Sequence, residues 1–268
     1  MPYITVNNAR LYYEDHGQGK ETIVFGHSML FNLRMFDDQV KFLKSDYRCV
    51  RFDFRGQGKS EVTLDGYDLD NLAKDIHELL ISLKCNTCHF VGFSMGGMVA
   101  MRLAISHPKL LKSLILIDTS SEPEPSSGHF RNTMMLWVAK NIGLKPIANK
   151  VIAMFFGPSF LKDPSRRYLR KAWKIHFLSN DRMGLVRAVK GVLFRKEITS
   201  GLHKIKVPTL ILWGDQDNLT DKKKAEIMHS NINNSVLEII PRAGHMSPVE
   251  EPDFVNQKIS NFLENLEK

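Results

Sequence analysis

The sequence predicts an α/β protein, a mostly parallel, doubly wound sheet with an inserted helical cap. Three observations predict it. Over residues 1–118, short and nearly continuous apolar runs alternate with stretches of helical periodicity, as strands buried on both faces of a sheet alternate with their crossover helices. The alternation lapses over 119–206, where helical stretches follow one another without a strand between them. It resumes at 207 and continues through the last residues.

In order along the chain, Leu11–Glu14 and Thr22–Phe25 read as the first strands and Cys49–Asp53 as the next. Residues 67–83 place Leu69, Leu72, Ile76, Leu79, Leu80 and Leu83 on one helical face. His89–Phe93 is a strand. A helix from about Gly96 to Ser106 follows it and stops near Pro108. Leu114–Ile117 is another buried strand. Strand, helix and strand in this rhythm imply right-handed crossovers with helices on both faces. Residues 122–128, Glu-Pro-Glu-Pro-Ser-Ser-Gly, have the composition of a loop, and Pro146, Pro158 and Pro164 punctuate the helical stretches after them. Thr209–Trp213, Val236–Ile240 and a final helix complete the pattern. The expected organisation is a core of 1–118 and 207–268 and a cap of 119–206 over the carboxyl edge of the sheet.

The composition narrows the class. With 43% hydrophobic and 25% charged residues in 268, the chain can bury a sizeable core. The opening Met1-Pro2-Tyr3-Ile4-Thr5-Val6 lacks a basic region before an apolar run. No stretch approaches the roughly 18 apolar residues needed to span a bilayer, so a cytoplasmic protein is expected. Cys49, Cys85 and Cys88 cannot all pair with one another, which argues against a disulfide framework. Cys85-Asn86-Thr87-Cys88-His89 matches a haem-attachment or redox pattern. Its position at a helix-to-strand join favours two small, half-buried residues instead. The net charge of +8 is concentrated, since residues 119–206 carry 17 Lys and Arg against 5 Asp and Glu. No motif supports nucleic-acid binding.

The strongest chemical signal is Gly92-Phe93-Ser94-Met95-Gly96 between a strand and a helix. Such a turn is tight enough to strain the serine backbone, so its neighbours must be small, and it lifts the hydroxyl beyond the sheet edge. A serine hydroxyl needs a base to take its proton, and the base needs a carboxylate to orient it. The order serine, acid, histidine points to Gly214-Asp215-Gln216-Asp217 and to Gly244-His245, each in a loop after a strand. Asp217, further into its loop, is the preferred acid. Asp215 is expected to cap the loop or helix, and Asp118 is a third candidate. His27 lies close to the expected site but precedes the serine. An oxyanion requires preorganised N–H donors, expected from the backbone of Met95 and, in the Gly26-His27-Ser28-Met29 loop, of Met29. This chemistry requires no metal or organic cofactor.

These strings, with Asp53-Phe54-Arg55-Gly56-Gln57-Gly58-Lys59-Ser60 and Ala243-Gly244-His245, make the chain resemble the α/β-hydrolase-fold superfamily over nearly its whole length outside the insertion. The resemblance implies nucleophile, acid and base at Ser94, Asp217 and His245. The first oxyanion motif, usually His-Gly, is His27-Ser28 here. With Leu33-Arg34-Met35-Phe36, it looks closest to the 3-oxoadipate enol-lactonase-like branch. Haloalkane dehalogenases and soluble epoxide hydrolases of this fold carry aspartate where Ser94 stands, which argues against those activities. Gly58-Lys59-Ser60 ends like a phosphate-binding loop, but the glycine required five positions before its Gly-Lys is Asp53.

The expected activity is therefore hydrolysis of a small ester, lactone or thioester through an acyl-enzyme. The same triad also serves carbon–carbon bond hydrolysis, lyase and cofactor-free perhydrolase chemistry, and a non-catalytic binding protein is the remaining reading. The insertion offers Met134, Trp137, Met154, Phe155, Phe156, Phe160, Trp173 and Phe177. Trp137, Phe155, Phe156 and Trp173, with His27, are the candidates for an apolar substrate pocket. Arg166, Arg167, Arg170, Lys171 and Lys174 recur at near-helical spacing. They read either as solvated helix surface or as a field that draws a small anionic acyl substrate to the site.

Overall fold

The computed structural model describes residues 2–85 and 87–266, without the side chains of 126–131. Met1, and Asn86 of the Cys85–His89 string, lie outside the described residues. The strands are β1 (Tyr3–Val6), β2 (Ala9–His16), β3 (Thr22–Gly26), β4 (Arg48–Phe52), β5 (Cys88–Phe93), β6 (Leu111–Ile117), β7 (Thr209–Gly214) and β8 (Ser235–Ile240). They form one sheet in the order β1-β2-β4-β3-β5-β6-β7-β8. From β4 to β8 every pairing is parallel, which confirms the fold class.

Two antiparallel pairings at one edge, β1 with β2 and β2 with β4, depart from the regular pattern. The strand β1 was not anticipated. Its turn holds Asn7 and Asn8 at φ +43° and +58° between Val6 and Ala9, which face each other in the register. Two consecutive left-handed residues suit the twist of a tight hairpin, and asparagine tolerates that conformation. Asn7-Asn8 was thus a readable hairpin signal.

Alternate residues of the central strands supply two cores, one on each face of the sheet. Ile23, Phe25, Val91, Phe93, Ile115 and Ile117 pack with helices Asp37–Leu43 and Pro252–Leu266. Val24, Val50, Phe90, Leu114 and Leu116 pack with helices Leu69–Ser82, Met95–Ser106 and Lys222–Asn231. Because both faces are covered, the strands read as unbroken apolar runs.

Between β6 and β7 the chain forms helices Ser126–Asn141, Ala148–Phe155, Pro158–Lys162, Arg167–Leu178 and Arg182–Leu193. The first begins inside the stretch whose composition predicted a loop. Pro158 opens its helix, while Pro146 and Pro164 stand in the first turns of 3-10 helices, where a missing N–H costs nothing. Their inward side chains, Phe155, Trp173, Phe177 and Leu185 among them, continue the first core. No helix among the described residues is long and apolar enough to cross a membrane.

Candidate active site

Four loops at the carboxyl ends of parallel strands converge, those after β3, β5, β7 and β8. Ser94 joins β5 to its helix at φ +51°, ψ −115°. A side chain in this conformation stores about 1–3 kcal/mol of strain and persists only if its surroundings hold it. Here the Ser94 N–H donates to Ile117 O at 2.9 Å, Thr119 Oγ1 donates to the Ser94 carbonyl at 2.7 Å, and the Gly96 N–H donates to His27 O at 3.1 Å. A Cβ on Gly96 would lie 2.0 Å from Gly26 O, and one on Gly92 would lie 2.7 Å from Gly97 Cα. The glycines around Ser94 are therefore required by the close approach of backbone to backbone.

His245 Nε2 lies 2.9 Å from Ser94 Oγ, and His245 Nδ1 lies 2.8 Å from Asp217 Oδ2. All three side chains are buried. Asp217 Oδ1 accepts from the N–H groups of Leu219 (2.7 Å) and Thr220 (3.0 Å), and the Thr220 hydroxyl donates to Oδ2. The capping role expected of Asp215 thus falls to Asp217, which also faces the histidine. Asp215 is exposed.

Asp118, the third candidate, does not reach His245. Its Oδ1 accepts from the Gly214 N–H at 2.8 Å, and Ser247 Oγ bonds to its Oδ2. It therefore braces the loops that carry Asp217 and His245. Burial, reinforced by the charge of Asp217, holds its carboxyl well above the usual carboxylate range.

In the first loop, Gln57 Oε1 accepts from the Leu30 N–H at 2.8 Å, and Leu30 adopts φ +72°. Gln57 was missed from the sequence, and Asp118, named there only as a third candidate for the acid, was not read as a brace. Gln57 lies in a recognised motif but carried no separate signal. The neighbouring N–H groups of Met29 and Met95 donate to no partner among the described residues.

A cavity of about 120 Å³ lies over Ser94 and His245. Met29, Leu30 and Met98 line it from the core, and Leu136, Val151, Met154, Phe155, Phe177 and Leu185 line it from the inserted helices. Apart from Ser94 and His245, its polar lining includes Thr220, Asn132, Lys224 and the ion pair Arg195–Glu124, separated by 3.0 Å.

Of the five pocket candidates, Phe155 lines this cavity and the other four lie elsewhere. Trp137 is 59% exposed on the outer side of its helix, whose Met135, Leu136 and Ala139 face the cavity. Phe156 stacks on Phe160 at 4.5 Å. Trp173 packs edge-on against Phe31 and borders a separate crevice with Arg34, Asp37 and Lys59. His27 is wholly buried, with Nδ1 2.6 Å from Ser28 O and Nε2 accepting from the Phe54 N–H at 3.0 Å. Burial lowers its pKa to about 4, so it joins two loops as a neutral ring.

Much of the predicted basic face is engaged within the protein. Arg170 donates to the carbonyls of Phe160, Leu161 and Asp163, Lys174 bonds Asn149, and Arg166 pairs with Asp163 and Glu251. Arg167 and Lys171 remain exposed. The three cysteines are buried, and burial pushes the Cys49 thiol up to about 12. The Asp53–Ser60 segment folds as a turn in which Asp53 accepts from the N–H groups of Leu33 and Lys59, both at 2.8 Å.

A family model described as alpha/beta hydrolase fold matches residues 21–252. The chain is 27% identical over 261 residues to 3-oxoadipate enol-lactonase 2 of Acinetobacter baylyi, spanning 97% of this chain and 95% of that one. It is also 27% identical to a putative carbamate hydrolase of Stutzerimonas stutzeri, spanning 94% and 96%. Among solved structures, a thermophilic esterase from Thermogutta terrifontis matches with a TM-score of 0.92 at 26% identity, covering 99% of this chain and 98% of that chain.

Proposed function

The chain belongs to the alpha/beta hydrolase fold family and is an enzyme of it, and on that premise we propose that it hydrolyses small esters, lactones or thioesters through a covalent acyl-enzyme on Ser94. One observation carries the reading. The hydrogen-bond chain from Asp217 to His245 to Ser94, at 2.8 and 2.9 Å, ends in an apolar cavity.

In the proposed reaction, Ser94 Oγ attacks the carbonyl carbon while His245 Nε2 takes its proton. The carbonyl π electrons move to oxygen, and the Met29 and Met95 N–H groups stabilise the negative charge. As the tetrahedral intermediate collapses, the bond to the leaving oxygen or sulfur breaks, and the imidazolium returns the proton to that atom. In a lactone the leaving group stays tethered. Water then attacks the acyl-enzyme by the same route, and Ser94 is regenerated with release of the acid. Asp217 holds the Nδ1–H tautomer and stabilises the imidazolium. The apolar lining favours a substrate whose acyl portion is largely hydrocarbon. The enol-lactonase and esterase relatives agree with a carbonyl–oxygen bond as the target.

A panel of short-chain esters, lactones and thioesters tests the reading, with Ser94→Ala run beside the wild type. Turnover of at least one class that disappears in the variant is expected. Turnover that survives the variant, or none across the panel, would overturn it.

A further inference from the structure

Two side chains outside the reacting set hold the loops that carry it. Glu250 is buried at 1% exposure, and its two carboxylate oxygens accept in different directions. Oε1 takes the Met246 N–H at 3.1 Å, on the residue after His245, and Oε2 takes the Gly157 N–H at 2.9 Å, in the inserted segment. Burial raises its pKa to about 7, while the N–H groups of Gly244, Gly157 and Met246 all oppose the rise. The carboxylate therefore has backbone donors on both sides of His245 and a third across the junction.

Gln216, the residue before Asp217, repeats the arrangement on the acid loop. Its Oε1 accepts from the Ser159 N–H at 2.9 Å, its Nε2 donates to Ser159 Oγ at 2.7 Å, and its own N–H donates to Ala243 O at 2.8 Å. Between these contacts the backbones of Gly157 and Gly244 meet so closely that a Cβ on Gly244 would lie 2.1 Å from Gly157 N. Arg166, also in the inserted segment, donates to the Glu250 carbonyl and pairs with Glu251 at 3.3 Å.

We propose that Glu250 and Gln216 are positioning residues which, through the Gly157–Ser159 turn, lock the inserted helices onto the loops bearing His245 and Asp217. The base is then aligned on Ser94 only while that turn is seated. Two independent side chains gripping one three-residue turn, one from each catalytic loop, distinguish this from ordinary packing. The charged groups around Glu250 are Asp217 and Asp118 from the strand-end loops, Arg166 from the insertion and Glu251 beside it. The inference rests on the Ser94–His245–Asp217 reading for its catalytic consequence, and the geometry of the clamp stands without it.

Glu250→Gln keeps the shape of the side chain but turns one acceptor into an NH2 that faces a backbone N–H. A misplacement of this kind is expected to lower kcat by on the order of 10- to 100-fold, with KM within about 2-fold of the wild type on the same argument of retained binding contacts. Ser94 labelling by a fluorophosphonate should slow in parallel. The downfield proton resonance of His245 Nδ1–H, which reports the bond to Asp217 directly, should broaden or vanish. Gln216→Ala should shift the same observables less, and it carries the test if Glu250→Gln does not fold. Folded variants that keep the resonance, the labelling rate and kcat would overturn the proposal. So would variants with a lower melting temperature and unchanged kcat, because that result describes packing alone. If the wild type were inert to the probe, the serine-hydrolase reading would fall, but the resonance would still decide the clamp.

Discussion

The strand-end loops and the inserted helices build the same cavity under opposite constraints. At the strand ends, backbone geometry dictates residue type. Gly96 sits where a Cβ would meet a carbonyl oxygen at 2.0 Å, and Ser94 is held at φ +51° by three hydrogen bonds. In the insertion, any large apolar residue on the right face satisfies the same need. Leu136 and Trp137 are sequence neighbours, yet one lines the cavity and the other lies in solvent. Local spacing therefore marks the serine turn but not a pocket wall.

The largest expected effect sharpens the difference between two buried aspartates at the strand ends. Asp217→Asn should lower kcat by on the order of 10⁴-fold, because the histidine loses its tautomer-fixing acceptor. Asp118→Asn should cost at least tenfold less, since Asp118 acts only on loop positions; this is an order-of-magnitude expectation from its indirect role. Steady-state kinetics on the best substrate of the panel checks both. Equal losses would mean that the acid has been misassigned.

Next in size, Gly96→Ala tests whether the turn tolerates a side chain. Its Cβ would collide with backbone that cannot move aside, so a loss of stability above about 3 kcal/mol is expected in urea unfolding, or failure to fold. A variant of near wild-type stability would show that the contact relaxes.

Within the insertion, Phe155→Ala should destabilise by about 3–5 kcal/mol and alter preference among acyl chain lengths. Trp137→Ala should stay within about 0.5 kcal/mol and leave KM unchanged. Chemical unfolding and a chain-length series decide between them. A large effect at Trp137 would break the inward–outward distinction.

The smallest effect separates His27 from His245. Burial holds His27 down at about 4 against an ordinary 6.5, so on acidification the unfolded chain takes up the proton first. The stability that neutral His27 provides is complete above pH 6.5 and is lost as pH falls towards 4, by at most about 3 kcal/mol. The advantage of the wild type over His27→Gln should shrink over that window in urea titrations. An advantage that is constant with pH would contradict the assignment of His27 as a buried neutral strut.

The legible parts were those fixed by neighbours in the chain. The central strands announced themselves as apolar runs because helices cover both faces, and the serine turn announced itself through its glycines. The antiparallel edge was legible in principle from Asn7-Asn8. What escaped depends on partners distant in sequence. Glu250 looks like a surface acid until Gly157 is folded beside it, and Asp118 becomes a brace only when Gly214 and Ser247 arrive from more than ninety residues away. Trp173 is as large and apolar as a pocket residue but packs edge-on against Phe31.

The most direct test of the account is to treat the folded protein with a fluorophosphonate and map the adduct by mass spectrometry, with His245→Ala and Ser94→Ala alongside. One adduct is expected, on Ser94, formed rapidly in the wild type, slowed by orders of magnitude without His245 and absent without Ser94. An adduct on another residue, or labelling of Ser94 that does not depend on His245, would contradict it.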